Sequence, residues 1–485
     1  MSEQKYAISC WPDVDEIYEA LNSLIYKPLH PIKREKMKEY LDYFENKCST
    51  SKKLTDRAKK FIPGGVQHNL AFNYPFPIAI EKAKDAYLWD VDGNRYVDFL
   101  QAGGPTILGS NYEPVQQKVI ELIKDCGPVT GLFHEYELKL AELINRHMPS
   151  IELFRMLGSG TESVIGAIRA ARTFTGKVKI IKAGGAYHGW SDQMVFGLHV
   201  PGTGPMEAHG IPQECYEHTQ EFFPDDLDQL RTLLETNENE GGTAAIIVEP
   251  VGPESGTRPI PFDYNKKIRE LCDEFGALLI FDEVVTGFRV GLDGAQGYFG
   301  VKPDLTVFGK AVAGGYPAAG GLGGRHDVME RLAAGLETGK TRAYVGGTLS
   351  ANPLSCAAGY YSILEIEKTE ANIKAGKAGD KLTAGLKELI KKRELPFVAY
   401  NQGSICHLET SAVMLMDIRK DAKKMIMEAK PRKHMMEEMG AAFLAEGVIT
   451  LAGSRLYTSM ADTDEVIDEA LASFDRVLAD IEPVE

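Results

Sequence analysis

Two apolar runs, each closed by ionisable residues, constrain this 485-residue chain more than any other feature. Both lie in the segment Gly276 to Gly315. The first, Ala277-Leu278-Leu279-Ile280-Phe281, ends in Asp282 and Glu283. The second, Leu305 to Phe308, ends in Gly309 and Lys310, 28 residues beyond Asp282, and a glycine-rich loop follows. Short apolar runs closed by polar residues read as buried parallel strands. In such sheets functional groups gather at the carboxyl ends of the strands. One carboxylate and one lysine, each at a strand end, form the pair that a pyridoxal phosphate (PLP) enzyme needs. The lysine forms a Schiff base, and the acid keeps the pyridine nitrogen protonated so that the ring withdraws electrons.

Composition agrees with a large globular body. Hydrophobic residues make up 44% and charged residues 25%, enough to bury a sizeable core and too ordered a mixture for a disordered chain. The 54 basic residues against 69 acidic ones give a net charge of −15 with no long basic run, which argues against a nucleic-acid or anionic-membrane surface. The start, MSEQKYAISCWPDVDE, lacks the charged-then-apolar pattern of a secretory signal, and no apolar stretch approaches the ~18 residues of a membrane span. Seven scattered cysteines without a CxxC pair read as reduced thiols of a cytoplasmic protein. No HExxH motif or Cys/His cluster points to a metal, so no metal site is expected.

Residues 1–50 read as a charge-rich helical extension. Val14, Ile17, Tyr18, Leu21 and Leu24-Ile25 recur at helical spacing, and Pro28 and Pro31 break the pattern before Met37, Leu41 and Phe44. From Leu54 to Leu100 a Pro63-Gly64-Gly65 turn precedes strands around AYLWDVDGNRYVDFL, with a hairpin turn at Asp92-Gly93-Asn94. Residues 101–350 alternate strands and helices, the pattern of right-handed βαβ crossovers in a mostly parallel sheet. Beyond Pro353 come amphipathic helices and short strands around SICHLET and VITLAG. The fold class is therefore α/β. The expected domains are a large one at 101–350 and a smaller α/β one that combines 51–100 with 351–485, the cofactor lying at their border.

Further candidates lie outside the opening segment. Gly158-Ser159-Gly160-Thr161-Glu162 follows an apolar run and opens a helix through Ile165 and Ile168. Glycines there let backbone N–H groups approach an anion at a positively polarised helix start. The same residues also read as a tight strand-to-helix turn capped by Thr161; a dinucleotide fingerprint would need glycine where Ser163 stands. Tyr187-His188-Gly189-Trp190 follows the run VKIIKAGG, and Glu249 closes AAIIVEP. Gly339-Lys340-Thr341 imitates the end of a phosphate-binding loop, but Ala334 stands where its first glycine should be.

The motifs FDEVVTGFR from Phe281, GAQGYFGVKPDLT from Gly294 and GKAVAGGYP from Gly309 occur in this order. Together they resemble the class III aminotransferases of PLP fold type I, and most of all the glutamate-1-semialdehyde aminomutase branch. The likeness runs from about Leu54 to the C-terminus, roughly nine tenths of the chain. It implies a large domain with a mostly parallel seven-stranded sheet beside a smaller α/β domain. It also implies that PLP is the cofactor, carried by Lys310 and paired at its ring nitrogen with Asp282. Ser159, Gly160 and Thr161 match the family's phosphate loop. Tyr187 matches the aromatic stacked on one face of the ring, and Val284 the branched residue packed on the other. Glu249 matches a glutamate near the ring hydroxyl and the substrate. Thr348, in Tyr344-Val345-Gly346-Gly347-Thr348, matches a threonine that reaches the phosphate of the neighbouring subunit, which implies a homodimer with shared sites. Glu283 is expected to be structural, and His188 to act by hydrogen bonding behind the site.

The chain departs from the aminomutase pattern in one place that bears on the reaction. The aminomutase carries an arginine after its PGGV turn, suited to a substrate carboxylate. Here Val66-Gln67-His68-Asn69-Leu70-Ala71-Phe72 has none. Losing such a partner costs on the order of 2–5 kcal/mol when the charge stays buried and unpaired. The loop from Gly197 to Phe223 also looks unlike the aminomutase's gating loop. Arg155, Arg289 and Arg455 are candidates to bind an acid instead, although Arg289 belongs to the GFR motif and is expected to be structural. The resemblance thus implies a transaminase acting on an amine or amino acid and a keto acid or aldehyde. An intramolecular isomerase, either an aminomutase or an amino-acid racemase, is the alternative, and a non-catalytic descendant would not be expected to keep Asp282, Lys310, Thr348 and the phosphate loop together.

Overall fold

The computed structural model describes residues 4–71, 73–127, 129–335 and 339–483. The first three residues and Phe72, part of the starting segment and of the arginine-free stretch respectively, lie outside them. The chain forms two compact units. One comprises the residues up to Tyr6, Glu113–Asn372 and Asp417–Lys420; the other comprises Ala7–Tyr112, Ile373–Met416 and the chain from Asp421 on.

The first unit is built on a seven-stranded sheet. Its strand order is Leu153–Leu157, Gly320–Gly324, Leu305–Gly309, Leu278–Asp282, Thr243–Val248, Lys179–Ala183 and Thr219–Phe222. Only Gly320–Gly324 runs against its neighbours. The three central strands are buried along their whole length, which is why they appear in the sequence as near-continuous apolar runs instead of alternating ones. The antiparallel strand is almost all glycine because neighbouring atoms occupy the space that side chains would need. A β-carbon at Gly320 would lie 2.3 Å from the Ser159 carbonyl oxygen, and one at Gly323 would lie 2.4 Å from the Ile151 side chain. Helix Gly160–Thr175 buries Val164, Ala167, Ile168 and Ala171 in the core formed with Leu157, Ile280 and Val307. Each such buried branched side chain contributes roughly 1.5–3 kcal/mol. Gly176, at φ 71°, ends this helix in the left-handed conformation.

The second unit carries two small sheets. One orders Ile80–Lys84, Tyr87–Asp90, Arg95–Asp98 and Val448–Ile449; the other orders Val398–Gln402, Ile405–Glu409 and Arg455–Tyr457. The turn at Asp92-Gly93-Asn94 joins an antiparallel hairpin, and Asp90 Oδ1 holds it by accepting from the Asp92 and Asn94 N–H groups at 3.0 and 2.8 Å. Helices Val14–Tyr26 and Arg34–Lys47 bury Leu21, Leu24 and Phe44 in one core with Tyr96, Phe99, Leu382 and Phe443. The apolar spacing near the start of the chain is thus the buried face of two helices.

Candidate active site

The register of three parallel strands brings the ionisable residues to one sheet end. Val248 pairs with Phe281, and Asp282 with Val307. Glu249, Asp282 and Lys310 therefore emerge at the carboxyl ends of adjacent strands. Asp282 is 5% exposed. Its Oδ2 lies 2.7 Å from His188 Nδ1, and its Oδ1 accepts the Val284 N–H at 3.0 Å. Burial pushes the His188 imidazole below its ordinary pKa, outweighing the neighbouring carboxylate. The neutral ring accordingly donates Nδ1–H to Asp282, and its buried Nε2 has no partner among the described residues. Lys310 follows the strand in the left-handed region, at φ 48°, and opens a short turn, Lys310–Ala313. A non-glycine residue held there costs on the order of 1–3 kcal/mol, so the surrounding packing fixes the point at which the strand breaks.

Ser159 is the N-cap of helix Gly160–Thr175, accepting the Glu162 N–H on its Oγ at 3.2 Å. Glu162 reaches back to the Gly158 N–H at 2.8 Å. The cap is thus Ser159, and Thr161 is the second helical residue, which removes the reading in which Thr161 caps the turn. The first N–H groups of the helix, those of Gly160 and Thr161, have no intrahelical acceptors. Bare α-carbons seat this loop against the other motifs. A β-carbon on Gly160 would lie 3.0 Å from Val284 Cγ2, and one on Gly309 would lie 2.9 Å from Val284 Cγ1. A β-carbon on Gly189 would lie 2.4 Å from Thr161 Oγ1. Ser159–Thr161, Tyr187–Gly189, Val284 and Gly309-Lys310 are therefore gathered at one place, although 150 residues separate the first from the last.

Tyr187 is 44% exposed, leaving ring surface open. Its N–H donates to Glu249 Oε1 at 3.0 Å. The same carboxylate accepts from the Glu254 N–H at 2.6 Å, from the Ser255 N–H, and from Ser255 Oγ at 2.8 Å. Burial, then the charge of Asp282, pushes Glu249 up to about 7. With both oxygens engaged this way, Glu249 ties Tyr187 to the loop after its own strand. Glu283 is likewise committed. It accepts from the Ala295 N–H, the Gln296 N–H and side chain, and Thr286 Oγ1, at 2.7–3.1 Å, and burial raises its pKa. That is a structural duty, pinning the loop that carries the GAQ motif.

Thr348 is exposed and lines a cavity of about 510 Å³ with Gly346, Gly347, Thr130, Gly131 and Arg155. Gly347 approaches Glu162: a β-carbon there would lie 3.2 Å from Glu162 Oε2. Arg155 donates to the carbonyl oxygens of Leu332 and, at 3.4 Å, Val345. Arg289 is fully buried, and Arg455 lies on a strand of the second unit. The stretch from Gly197 to Phe223 is not loop throughout, since Thr219–Phe222 forms the edge strand of the large sheet. Two residues escaped the sequence reading altogether. Lys182 and Glu221 sit side by side on the last two strands and hold the loop that bears Tyr187. The available signal was a lysine inside the apolar run Ile180-Ile181-Lys182-Ala183, where a solvated surface residue is out of place.

These residues fit PLP. The helix start suits a phosphate dianion, and the bare α-carbons of Gly160, Gly189 and Gly309 leave no β-carbon in the way. Asp282 supplies a buried, oriented carboxylate, Tyr187 an open aromatic face, and Lys310 an amine at the strand end.

The family model described as Aminotransferase class-III matches residues 70–478. Among solved structures, an omega-transaminase from Sphaerobacter thermophilus is 26% identical over 90% of this chain and 99% of that one, with a TM-score of 0.79. A beta-phenylalanine aminotransferase from Variovorax paradoxus is 25% identical over 96% and 97%, with a TM-score of 0.77. A glutamate-1-semialdehyde aminomutase from Pseudomonas aeruginosa PAO1 shares the fold at 20% identity over 96% and 99%, with a TM-score of 0.77.

Proposed function

Because the chain belongs to the class III aminotransferase family, whose model spans most of its length, we propose that it is a PLP-dependent transaminase that moves an amino group between an amine or amino acid and a keto acid or aldehyde. The observation that carries this reading is the gathering of Asp282, Lys310, the Ser159–Thr161 helix start and Val284 at one sheet end. Bound there, PLP supplies a carbonyl carbon that takes up nitrogen and a ring that withdraws electrons. Lys310 Nζ would hold the cofactor's carbonyl carbon, and as a free amine it would take a proton from the substrate carbon. Asp282, held by His188, pairs with the ring N–H and keeps it charged. Ser159, Gly160 and Thr161 bind the phosphate, Tyr187 and Val284 hold the two ring faces, and Glu249 fixes Tyr187 from behind.

The absence of arginine from Val66 to Phe72 favours transamination over the aminomutase reaction. Thr348 and the exposed side chains of Leu132, Phe133, Tyr344 and Leu349, which are 57–84% exposed, support a second copy of the chain covering this face in a homodimer. Seven cysteines, none of them in a disulfide, suit a reducing cytoplasm.

Incubation with a panel of amines, with and without pyruvate or 2-oxoglutarate, tests the reaction. Product that requires the keto acid identifies the transaminase; isomerised amine without one identifies a mutase or racemase instead. Borohydride treatment followed by peptide mapping should place the pyridoxyl group on Lys310, and a label on any other lysine would remove Lys310 from its role.

A further inference from the structure

Lys182 is wholly buried, and its Nζ donates to the carbonyl oxygens of Ala186, Met194 and Phe196, each at 3.0 Å. An ammonium has three N–H groups, and three carbonyls use them all. Its register partner on the edge strand is Glu221. Glu221 Oε2 accepts the Gly202 N–H and Oε1 the Gly204 N–H, both at 2.9 Å. One cation thus collects carbonyls from residues 186–196, and one anion collects amides from residues 202–204. The loop is closed on itself by Gly185 N–H to Gly197 O at 2.9 Å and Gly197 N–H to Gly204 O at 2.7 Å. The fit around Glu221 is tight: β-carbons at Gly184 and Gly197 would lie 2.6 and 2.4 Å from its Oε2.

The consequence falls on three consecutive residues. Ala186 is held at its carbonyl by Lys182, Tyr187 at its N–H by Glu249, and His188 at its ring by Asp282. The three holding residues come from three neighbouring parallel strands. Removing an ammonium from water is expensive, and a loop of this length on the surface can satisfy its carbonyls with water. A buried charge spent on main-chain carbonyls is explained when the segment must keep one conformation.

We propose that Lys182, acting with Glu221, is a positioning residue that presets residues 184–204 so that Tyr187 stands ready as the aromatic wall of the cofactor site. This rests on the PLP reading above. Burial pushes the Lys182 amine down to about 8, against the opposing pull of Glu221, Glu249 and Glu207, so near neutral pH it is still mostly the three-donor ammonium.

The test uses full-length wild type, Lys182→Met and Glu221→Gln. In the cofactor-free proteins, hydrogen exchange of peptides within 184–204 should rise about tenfold or more in Lys182→Met, while peptides from helix Gly160–Thr175 stay unchanged. The Kd for PLP, followed by absorbance, should weaken by a similar factor. Glu221→Gln, at the partly exposed edge strand, should shift both in the same direction by about two- to fivefold, and it decides the matter should Lys182→Met fail to fold. Exchange that rises equally throughout the molecule, or folded variants matching wild type in both measurements, overturns the proposal. Wild type that takes up no PLP overturns the functional reading and this proposal with it; wild type that binds PLP beside indistinguishable variants overturns this proposal alone.

Discussion

His188 Nδ1 lies 2.7 Å from Asp282 Oδ2, with both side chains buried. A neutral imidazole behind a carboxylate orients the charge without cancelling it. Asp282→Asn keeps the shape and removes the charge, so the single-turnover rate with a donor amine should fall by roughly 10²–10³-fold while PLP remains bound. His188→Gln leaves the carboxylate charged and less well aimed, and should cost about tenfold in kcat, or ~1.4 kcal/mol. A near-normal half-reaction in Asp282→Asn would remove Asp282 from the role of ring partner.

The same pair makes stability depend on pH. The folded-state pKa of His188 lies below its ordinary 6.5, so just below that pH the unfolded chain binds a proton that the folded chain refuses. Stability contributed by the neutral ring is therefore present above pH 6.5 and lost as the pH falls below it. Glu249 acts in the opposite sense. Raised from 4.5 to about 7, it binds more protons folded than unfolded across that window, and stabilises as the pH falls through it. The difference between wild type and His188→Gln isolates the first effect. Between pH 7.5 and 5.5 the urea midpoint of wild type should drop relative to the variant; parallel midpoints would mean that His188 takes up its proton in the folded state.

The strands and their ionisable ends were legible in sequence because a buried parallel strand leaves a local signature, a near-continuous apolar run closed by polar residues. Asp282 and Lys310 lie in such positions, and their registers follow from the sheet. Residue class alone does not separate Asp282 from Glu283, adjacent carboxylates; only the family resemblance assigned them different roles. The difference lies in distant donors: Glu283 is absorbed by the Ala295 and Gln296 amides, whereas Asp282 faces His188. The Ser159 cap, the commitment of Glu249 to the 254–255 loop and the Lys182–Glu221 anchor are likewise set by tertiary geometry, with no periodic pattern to announce them.

Val284 touches two glycines whose missing β-carbons make room for it, and that predicts a coupled pair of substitutions. Gly160 begins a helix, where alanine is intrinsically the better residue. Yet its new β-carbon would come within 3.0 Å of Val284 Cγ2. Gly160→Ala should therefore weaken PLP binding by about tenfold, within the usual 1–3 kcal/mol of overpacking. Val284→Ala removes the opposing methyls and should cost a few-fold alone. In the double variant much of the Gly160→Ala penalty should vanish, giving a non-additive cycle in PLP affinity. Strict additivity would mean that these two residues do not share the wall of the site.

Thr348 sets the last prediction, because its own chain offers it a neighbour. The preceding Gly347 approaches Glu162, which in turn holds the Gly158 amide, so the segment carrying Thr348 is exposed and also lies beside the proposed phosphate loop of its own chain. Two inactive variants separate the possibilities. Lys310→Ala removes the attachment amine, and Thr348→Asp sets a negative charge against phosphate. With shared sites, a mixed dimer contains one site that draws Lys310 from the Thr348→Asp chain and Thr348 from the Lys310→Ala chain. Mixing the two under conditions of subunit exchange should then restore up to one working site per heterodimer, about a quarter of wild-type activity at equal amounts and random pairing. Dilution to monomer should also release PLP, since ligand and partner stabilise the same assembly. No recovery, despite exchange demonstrated with labelled subunits, would mean that Thr348 serves its own chain through the Glu162 side or takes no part in phosphate binding.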